Sequence, residues 1–293
     1  MNNRDLALLR QRADTLCNRK PRQLIPEIRL FEEKHYLVAL KEYGRIVAQF
    51  ELFYDLINEI IIGVNYIDHR SWPKHRSLQL LLVNHNLKTI YSAFERAIKG
   101  FYEDSLNLLR TNYEALVRVI WISCYPDRAG AGVHEHKDGG REFNLTEFIK
   151  DDLKLNWRSY KFLSVFTHGN QPAVMYDWID IFKKIKKEPI SIELKFDKKY
   201  LEVALNYLIF LSYSYLKTTI DLFVTSKNDL LKEKTITDGE KLLDIWKQSL
   251  LSHPGGYWPI LIKDLDDILK MCLSADAGQN WRNTWNQIRA LSV

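Results

Sequence analysis

Apolar residues return every three or four positions along most of this chain, which is the period of a helix with one buried face. The longest such stretch runs from Pro26 to Ile62, where Gly44 predicts a bend or a helix boundary. Asp197 is expected to cap the N-terminus of the most apolar segment, 198–223. The other segments with helical spacing are 4–17, 78–99, 102–123, 146–153, 157–168, 239–251, 259–273 and 279–291.

One segment has the alternating pattern of a strand. In ISIELKF, residues 190–196, apolar and polar positions alternate with a period of two. Because helical segments greatly outnumber this strand candidate, the sequence predicts an all-α protein built as a helical bundle.

Two polar stretches interrupt the helical pattern and suggest how the chain is divided. RSWPKHRS at 70–77 is a break, and the charged residues 226–240 predict a linker or an exposed turn. We therefore expect N-terminal helices in 1–77 that pack on a central bundle of 78–225, followed by a C-terminal helical region of 226–293.

Composition narrows the function only a little. Hydrophobic residues make up 46% and charged residues 27%, as in an ordinary globular protein. A formal charge of +5 permits contact with nucleic acid but lacks the strong basic bias of a dedicated binder. The cysteines are scattered, and neither a secretion signal nor an apolar run of about 18 residues occurs. We expect a cytoplasmic protein without a membrane segment. No phosphate-binding glycine loop or cluster of metal ligands occurs, so no cofactor or metal is predicted.

The segment 102–123 places three charges on one helix face. Arg110, Glu114 and Arg118 are spaced four apart and can form a ladder of ion pairs. One interpretation is a solvated ladder, and the other is that Arg110 and Glu114 face a neighbouring helix through a buried, charge-assisted bond. The opposite stripe is apolar and is predicted to be buried; its residues are Leu106, Leu109, Tyr113, Leu116, Val117 and Ile120.

The segment SYKFLSVFTHGN, residues 159–170, carries polar groups on an otherwise apolar helix. Lys161, Ser164 and His168 recur near helical spacing, and the segment ends at Gly169 and Asn170. His168 is either a catalytic base or a residue of the last helical turn whose ring bonds free carbonyls. A basic stretch follows, which is either an RNA-binding segment or a solvated face; its lysines are Lys183, Lys184, Lys186 and Lys187.

Together these two segments resemble a bacterial family of all-helical proteins similar to the HEPN superfamily, which includes ribonucleases and nucleotide-binding domains. The resemblance covers about residues 78–225. The first motif comprises Ser105, Leu108, Leu109, Arg110 and Glu114, and the second comprises Tyr160, Lys161, Leu163, Ser164, His168 and Gly169.

The resemblance implies metal-independent cleavage of RNA by a homodimer. His168 would transfer protons, Lys161 or Arg110 would stabilise the charged phosphate, and Glu114 would orient one of those cations. Ser164, Asn170 and the four lysines are candidate RNA contacts. In the family pattern, four to six residues separate an arginine from the histidine. This chain has Lys161 in place of that arginine, with six residues between it and His168. Either Lys161 replaces it, Arg110 reaches across from the other helix, or the site is degenerate.

Three functions fit these expectations. The first is an RNA-directed effector, a ribonuclease of the toxin or phage-defence type, with a cognate antitoxin or another regulatory partner. The second is a non-catalytic helical interaction or sensor protein, in which the polar residues of the two motifs form a buried network. The third is a nucleotide-binding helical module.

Overall fold

The computed structural model describes residues 24–65, 72–129, 144–152, 163–164, 197–224, 233–252, 258–273 and 281–291. Every regular element within these ranges is helical, which confirms the all-α prediction. The α-helices are α1 (Leu24–Asn65), α2 (Lys74–Ile98), α3 (Tyr102–Cys124), α4 (Leu145–Glu147), α5 (Lys198–Phe223), α6 (Glu233–Ser252), α7 (Trp258–Leu273) and α8 (Trp281–Leu291). Of the described helices, none combines the length and apolarity that crossing a bilayer requires.

Helices α3 and α5 form the centre of the bundle. Near their N-termini the rings of Tyr102 and Tyr200 stack, with centroids 6.3 Å apart. Further along both helices, the fully buried Tyr215 hydroxyl donates a hydrogen bond to the Asn112 carbonyl at 2.9 Å. The two helices therefore run in the same direction. The predicted N-cap of α5 is confirmed, because the Asp197 carboxylate accepts hydrogen bonds from the first backbone N–H groups of the helix.

A tight turn at Gly100 connects α2 to α3, and the two helices pack antiparallel to each other. The turn requires a positive φ of 90° at this residue, a conformation that glycine adopts without steric cost. Helix α2 starts at Lys74, so the last four residues of the predicted break at 70–77 are helical instead. Pro73 is the N-cap of the helix, with φ −59° and ψ 138°, and its carbonyl accepts a hydrogen bond from the Arg76 N–H at 2.9 Å.

Helix α1 is bent where the sequence predicts it. Tyr43, the residue before Gly44, has the non-helical angles φ −127° and ψ 21°. At the bend the Tyr43 hydroxyl donates to Glu202 Oε1 at 2.8 Å, and Lys198 pairs with Glu42 at 3.0 Å. Burial, and secondarily the Glu202 carboxylate, raise the pKa of Tyr43. These contacts join the bend of α1 to the first turn of α5.

The prediction of a linker over 226–240 is wrong for its second half. Helix α6 begins at Glu233, and its side against the core includes the buried Thr235 and Gly239. The Thr235 hydroxyl donates to Glu59 of α1 at 2.8 Å. The charges of this stretch, such as the exposed Lys234 and Glu240, lie on the solvated face of an amphipathic helix. A dense run of charged residues has the composition of a linker, but the buried positions between the charges show that this stretch is an amphipathic helix.

The π-helical turn Phe148–Asp152 follows α4 directly and anchors the chain after α3. Phe148 and Ile149 are buried, and the Phe148 ring lies 6.4 Å from the Tyr125 ring, measured between centroids. The predicted helix at 4–17 and the predicted strand at 190–196 lie outside the described residues.

Candidate functional site

The two charged residues of the first motif, Arg110 and Glu114, contact each other directly. Arg110 Nε donates to Glu114 Oε1 at 2.9 Å within α3. Their side chains are 16% and 26% exposed, respectively, so the pair is half-buried. This exposure does not fit a freely solvated ladder. The interpretation in which the pair faces a neighbouring helix stays a prediction. Arg118 lies on the same face of α3 and is also half-buried.

The position of the pair follows from how the rest of α3 packs. The predicted apolar stripe is buried in full, from Leu106 to Ile120, and so are the flanking Ser105 and Asn112. The last turns, 119–124, are buried on every side. Because these sides pack in the core, the face with Arg110 and Glu114 is where α3 keeps contact with solvent. Half-burial strengthens the ion pair relative to one in open water.

The arrangement gives an oriented cation at the edge of the core. A guanidinium is planar, and the bond from its Nε to a carboxylate sets the direction of that plane. The distance and the spacing together show that Glu114 restrains the Arg110 side chain within α3.

The second motif is described only at its centre. Leu163 is fully buried and Ser164 is half-buried, and both residues are helical. This agrees with a helix that packs its apolar side on the core and keeps Ser164 nearer its surface. The other predicted site residues lie outside the described residues: Lys161, His168, Asn170, Lys183, Lys184, Lys186 and Lys187. Their expected contact with Arg110 and Glu114 stays a prediction.

Sequence reasoning missed a buried polar group that joins three helices. Gln79 is fully buried in α2, and its amide nitrogen donates to the Val119 carbonyl and to Ser123 Oγ, each at 2.7 Å. Its amide oxygen accepts from Arg76 at 3.2 Å. Ser123 also hydrogen-bonds the buried Cys272 thiol of α7, whose pKa burial raises to about 11. A glutamine on the apolar side of a predicted helix is the signal that could have revealed this network.

Replacing Gln79 by leucine is expected to lower the free energy of unfolding by about 2 kcal/mol. The substitution keeps the volume but removes the acceptor of Arg76, whose pKa burial lowers, and a donor to Ser123. Chemical denaturation followed by circular dichroism measures the loss. Gln248→Leu, on the exposed face of α6, is the matched control and should change stability by less than about 0.5 kcal/mol. Equal stability of the two variants would contradict a structural role for Gln79.

Metal binding has no support among the residues that the structure describes, where no three acidic, histidine or cysteine side chains come together. The class of protein that the described helices define is an all-α bundle with a half-buried Arg–Glu pair on a central helix. No family model, no curated protein and no solved structure matches this chain.

Proposed function

We propose that this protein is an RNA-directed effector, a metal-independent ribonuclease of the toxin or phage-defence type. The observation that supports the proposal best is the Arg110–Glu114 pair, which holds an oriented guanidinium at the half-exposed face of α3. It occupies the first of the two motifs that resemble the HEPN-like family. A guanidinium held in a fixed plane is suited to bind a phosphate through two parallel N–H···O hydrogen bonds.

In this mechanism His168 takes the proton from a ribose 2′-hydroxyl, and the resulting oxygen attacks the adjacent phosphorus. The bond from phosphorus to the 5′-oxygen breaks, and that oxygen takes the proton from the protonated imidazole, so that a 5′-hydroxyl leaves and the neutral histidine is restored. The other product ends in a 2′,3′-cyclic phosphate. An imidazole suits both proton transfers near neutral pH. Arg110 or Lys161 stabilises the negative charge that develops on the phosphate oxygens, and Glu114 keeps Arg110 in position.

The proposal includes a homodimer that brings two sites together, and a cognate antitoxin or another regulatory partner that restrains cleavage. Ser164 and Asn170 contact the strand near the reacting phosphate. The lysines after them, 183, 184, 186 and 187, contact its backbone. We expect the protein to act in the cytoplasm, where reduced thiols suit its scattered cysteines.

A non-catalytic interaction or sensor protein is the second candidate. Lys161 favours it, because this residue stands where the family pattern has arginine. The Arg110–Glu114 pair is also made within one helix, four residues apart, as a purely structural pair is. In that case the polar residues of both motifs would hold the bundle in one arrangement.

Cleavage of total cellular RNA by the purified full-length chain in excess chelator tests the proposal. We expect fragments that end in 2′,3′-cyclic phosphate, and a rate at least about a hundredfold lower for His168→Ala at equal folding. Arg45→Ala removes an exposed arginine of α1 and serves as the control, with the rate of the parent. Intact RNA with the parent, or cleavage that persists in His168→Ala, would overturn the ribonuclease proposal and favour the second candidate.

Glu114→Gln tests the positioning of Arg110. The amide keeps an acceptor at the same place but loses the charge, so the free energy of unfolding should change by less than about 0.5 kcal/mol. If Glu114 orients the guanidinium for the reaction, kcat should fall about tenfold while KM changes little. A lower melting temperature with unchanged kcat would instead make the pair purely structural.

A further inference from the structure

Helix α2 presents a long exposed face that no part of the proposed mechanism uses. From Leu81 onward its residues recur every three to four positions, and Lys74 lies on the same side of the helix two turns earlier. The set is Lys74, Leu81, His85, Lys88, Ser92 and Arg96. All of them are exposed to solvent. At the helical rise the face is about 33 Å long. Asn84 and Tyr91 lie along one edge of it and are also exposed.

This face is basic and free of acidic groups. In α2, every residue of which the structure describes, Glu95 is the one carboxylate, and it is half-buried and paired with Lys99. The exposed face of α1, by contrast, alternates Glu33 with Lys34 and Lys41 with Glu42. Solvated helices commonly carry both signs, since pairs four residues apart stabilise each other. A face with cations alone has the charge of a surface that meets a polyanion.

The same side of α2 also carries an exposed aromatic ring, that of Tyr91. Tyr91 is 51% exposed, although it is a large aromatic residue, and Leu81 is 62% exposed. The Tyr54 ring of α1 meets the Tyr91 ring edge to face, with centroids 5.3 Å apart. This contact holds the Tyr91 ring in place while half of its surface faces solvent. Lys88 lies one turn before Tyr91, so a cation and a fixed ring stand side by side.

We propose that the exposed face of α2 is a docking surface for single-stranded RNA. Lys74, Lys88 and Arg96 contact phosphates at intervals of about 21 Å and 12 Å along the strand, and an unpaired base stacks on Tyr91. Single-strand sites combine these two elements, a cationic track along the backbone and an aromatic platform for the bases, over about 4–16 nucleotides. A duplex keeps its bases stacked on each other and offers none to the ring. The identity of the polyanion as RNA rests on the proposed function, whereas the charge and the ring belong to α2 itself.

Binding of a labelled, unstructured RNA whose 2′-hydroxyls are methylated tests the surface without cleavage. Fluorescence anisotropy is recorded over a series of salt concentrations. The variant Lys74→Ala/Lys88→Ala should bind at least tenfold more weakly, and its slope of log affinity against log salt should be smaller by about 1.4. Tyr91→Leu should weaken binding about fivefold or more at an unchanged slope, because it removes stacking and not charge.

The matched control is Lys34→Ala/Lys41→Ala, which removes the same charge from exposed positions of α1. It should weaken binding less than twofold. An equal loss of RNA affinity in the two double variants would show that binding depends only on net charge, and it would overturn the docking surface. So would parent-like binding by the α2 double variant. If Tyr91→Leu binds like the parent, or if vesicles with phosphatidylserine bind the same face more tightly than RNA, the occupant is not a single strand.

The binding experiment separates this proposal from the ribonuclease proposal. RNA that stays intact with the parent, together with binding that depends on α2, would remove the proposed catalysis and leave the docking surface standing. Cleavage that depends on His168, together with binding that is unchanged in the α2 variants, would support the ribonuclease proposal and overturn the docking surface.

Discussion

Gly100→Ala will lower the free energy of unfolding by about 3 kcal/mol. The residue has φ +90°, where an alanine side chain is strained. A Cβ built there would lie 2.7 Å from His35 Cδ2 and 3.2 Å from Phe31 Cε1. The His35 ring cannot move aside easily, because it is buried, its Nδ1 donates to the Phe31 carbonyl at 3.0 Å, and it packs on the Phe31 ring.

Gly44→Ala provides the control for that experiment. No atom lies within 4 Å of a Cβ added at Gly44, and its φ is not in the left-handed region. Because alanine favours helix over glycine, this variant should be as stable as the parent or more stable by up to about 1 kcal/mol. Denaturant unfolding followed by circular dichroism compares the two. If both variants unfold at the same denaturant concentration, the tight turn does not require glycine.

Trp246→Ala will cost about 4 kcal/mol, the other large loss that we expect. Trp246 is fully buried between α6 and α1, with its ring centroid 5.5 Å from those of both Phe50 and Phe53. Its indole N–H donates to Gln49 Oε1 at 3.0 Å, so truncation leaves a cavity and removes a partner of Gln49. Denaturant unfolding measures the loss, and hydrogen exchange should show it as faster exchange along α6.

Ile245→Ala is the matched control on the same helix. Ile245 is the preceding residue and is 41% exposed, so truncation leaves no cavity and should cost less than about 1 kcal/mol. A loss for Trp246→Ala that is no larger than the loss for Ile245→Ala would contradict the packing of α6 on α1.

The sequence could predict those contacts of the candidate site that form between residues close together in the chain. A spacing of four placed Arg110 beside Glu114, and the structure shows that bond at 2.9 Å. The spacing left two interpretations open, a solvated ladder and a buried pair, because the burial of the pair depends on how the other sides of α3 pack. Gln79 was missed for the same reason, since its partners Val119 and Ser123 belong to another helix. The proposed roles of His168 and Lys161 stay predictions, because both residues lie outside the described ranges.

The basic face of α2 shows the same limit. The sequence contains its cations and Tyr91 at helical spacing, but spacing does not say which side of a helix is covered. Lys88 and Tyr91 are exposed because the opposite side of α2, which includes Val83 and Ile90, is buried against the bundle. The surface that we propose for RNA is therefore a result of tertiary packing.

The sequence by itself determined what depends on neighbours along the chain. The all-α class, a bend next to Gly44 and the cap at Asp197 could be predicted from periodicity and from the residue types that commonly interrupt or cap helices. The tertiary structure alone decided whether the charges of 233–240 mark a linker or the outer face of α6, and which polar groups are buried. Burial is a property of the packed molecule, because it depends on contacts between residues that are distant in sequence, and no local pattern contains those contacts.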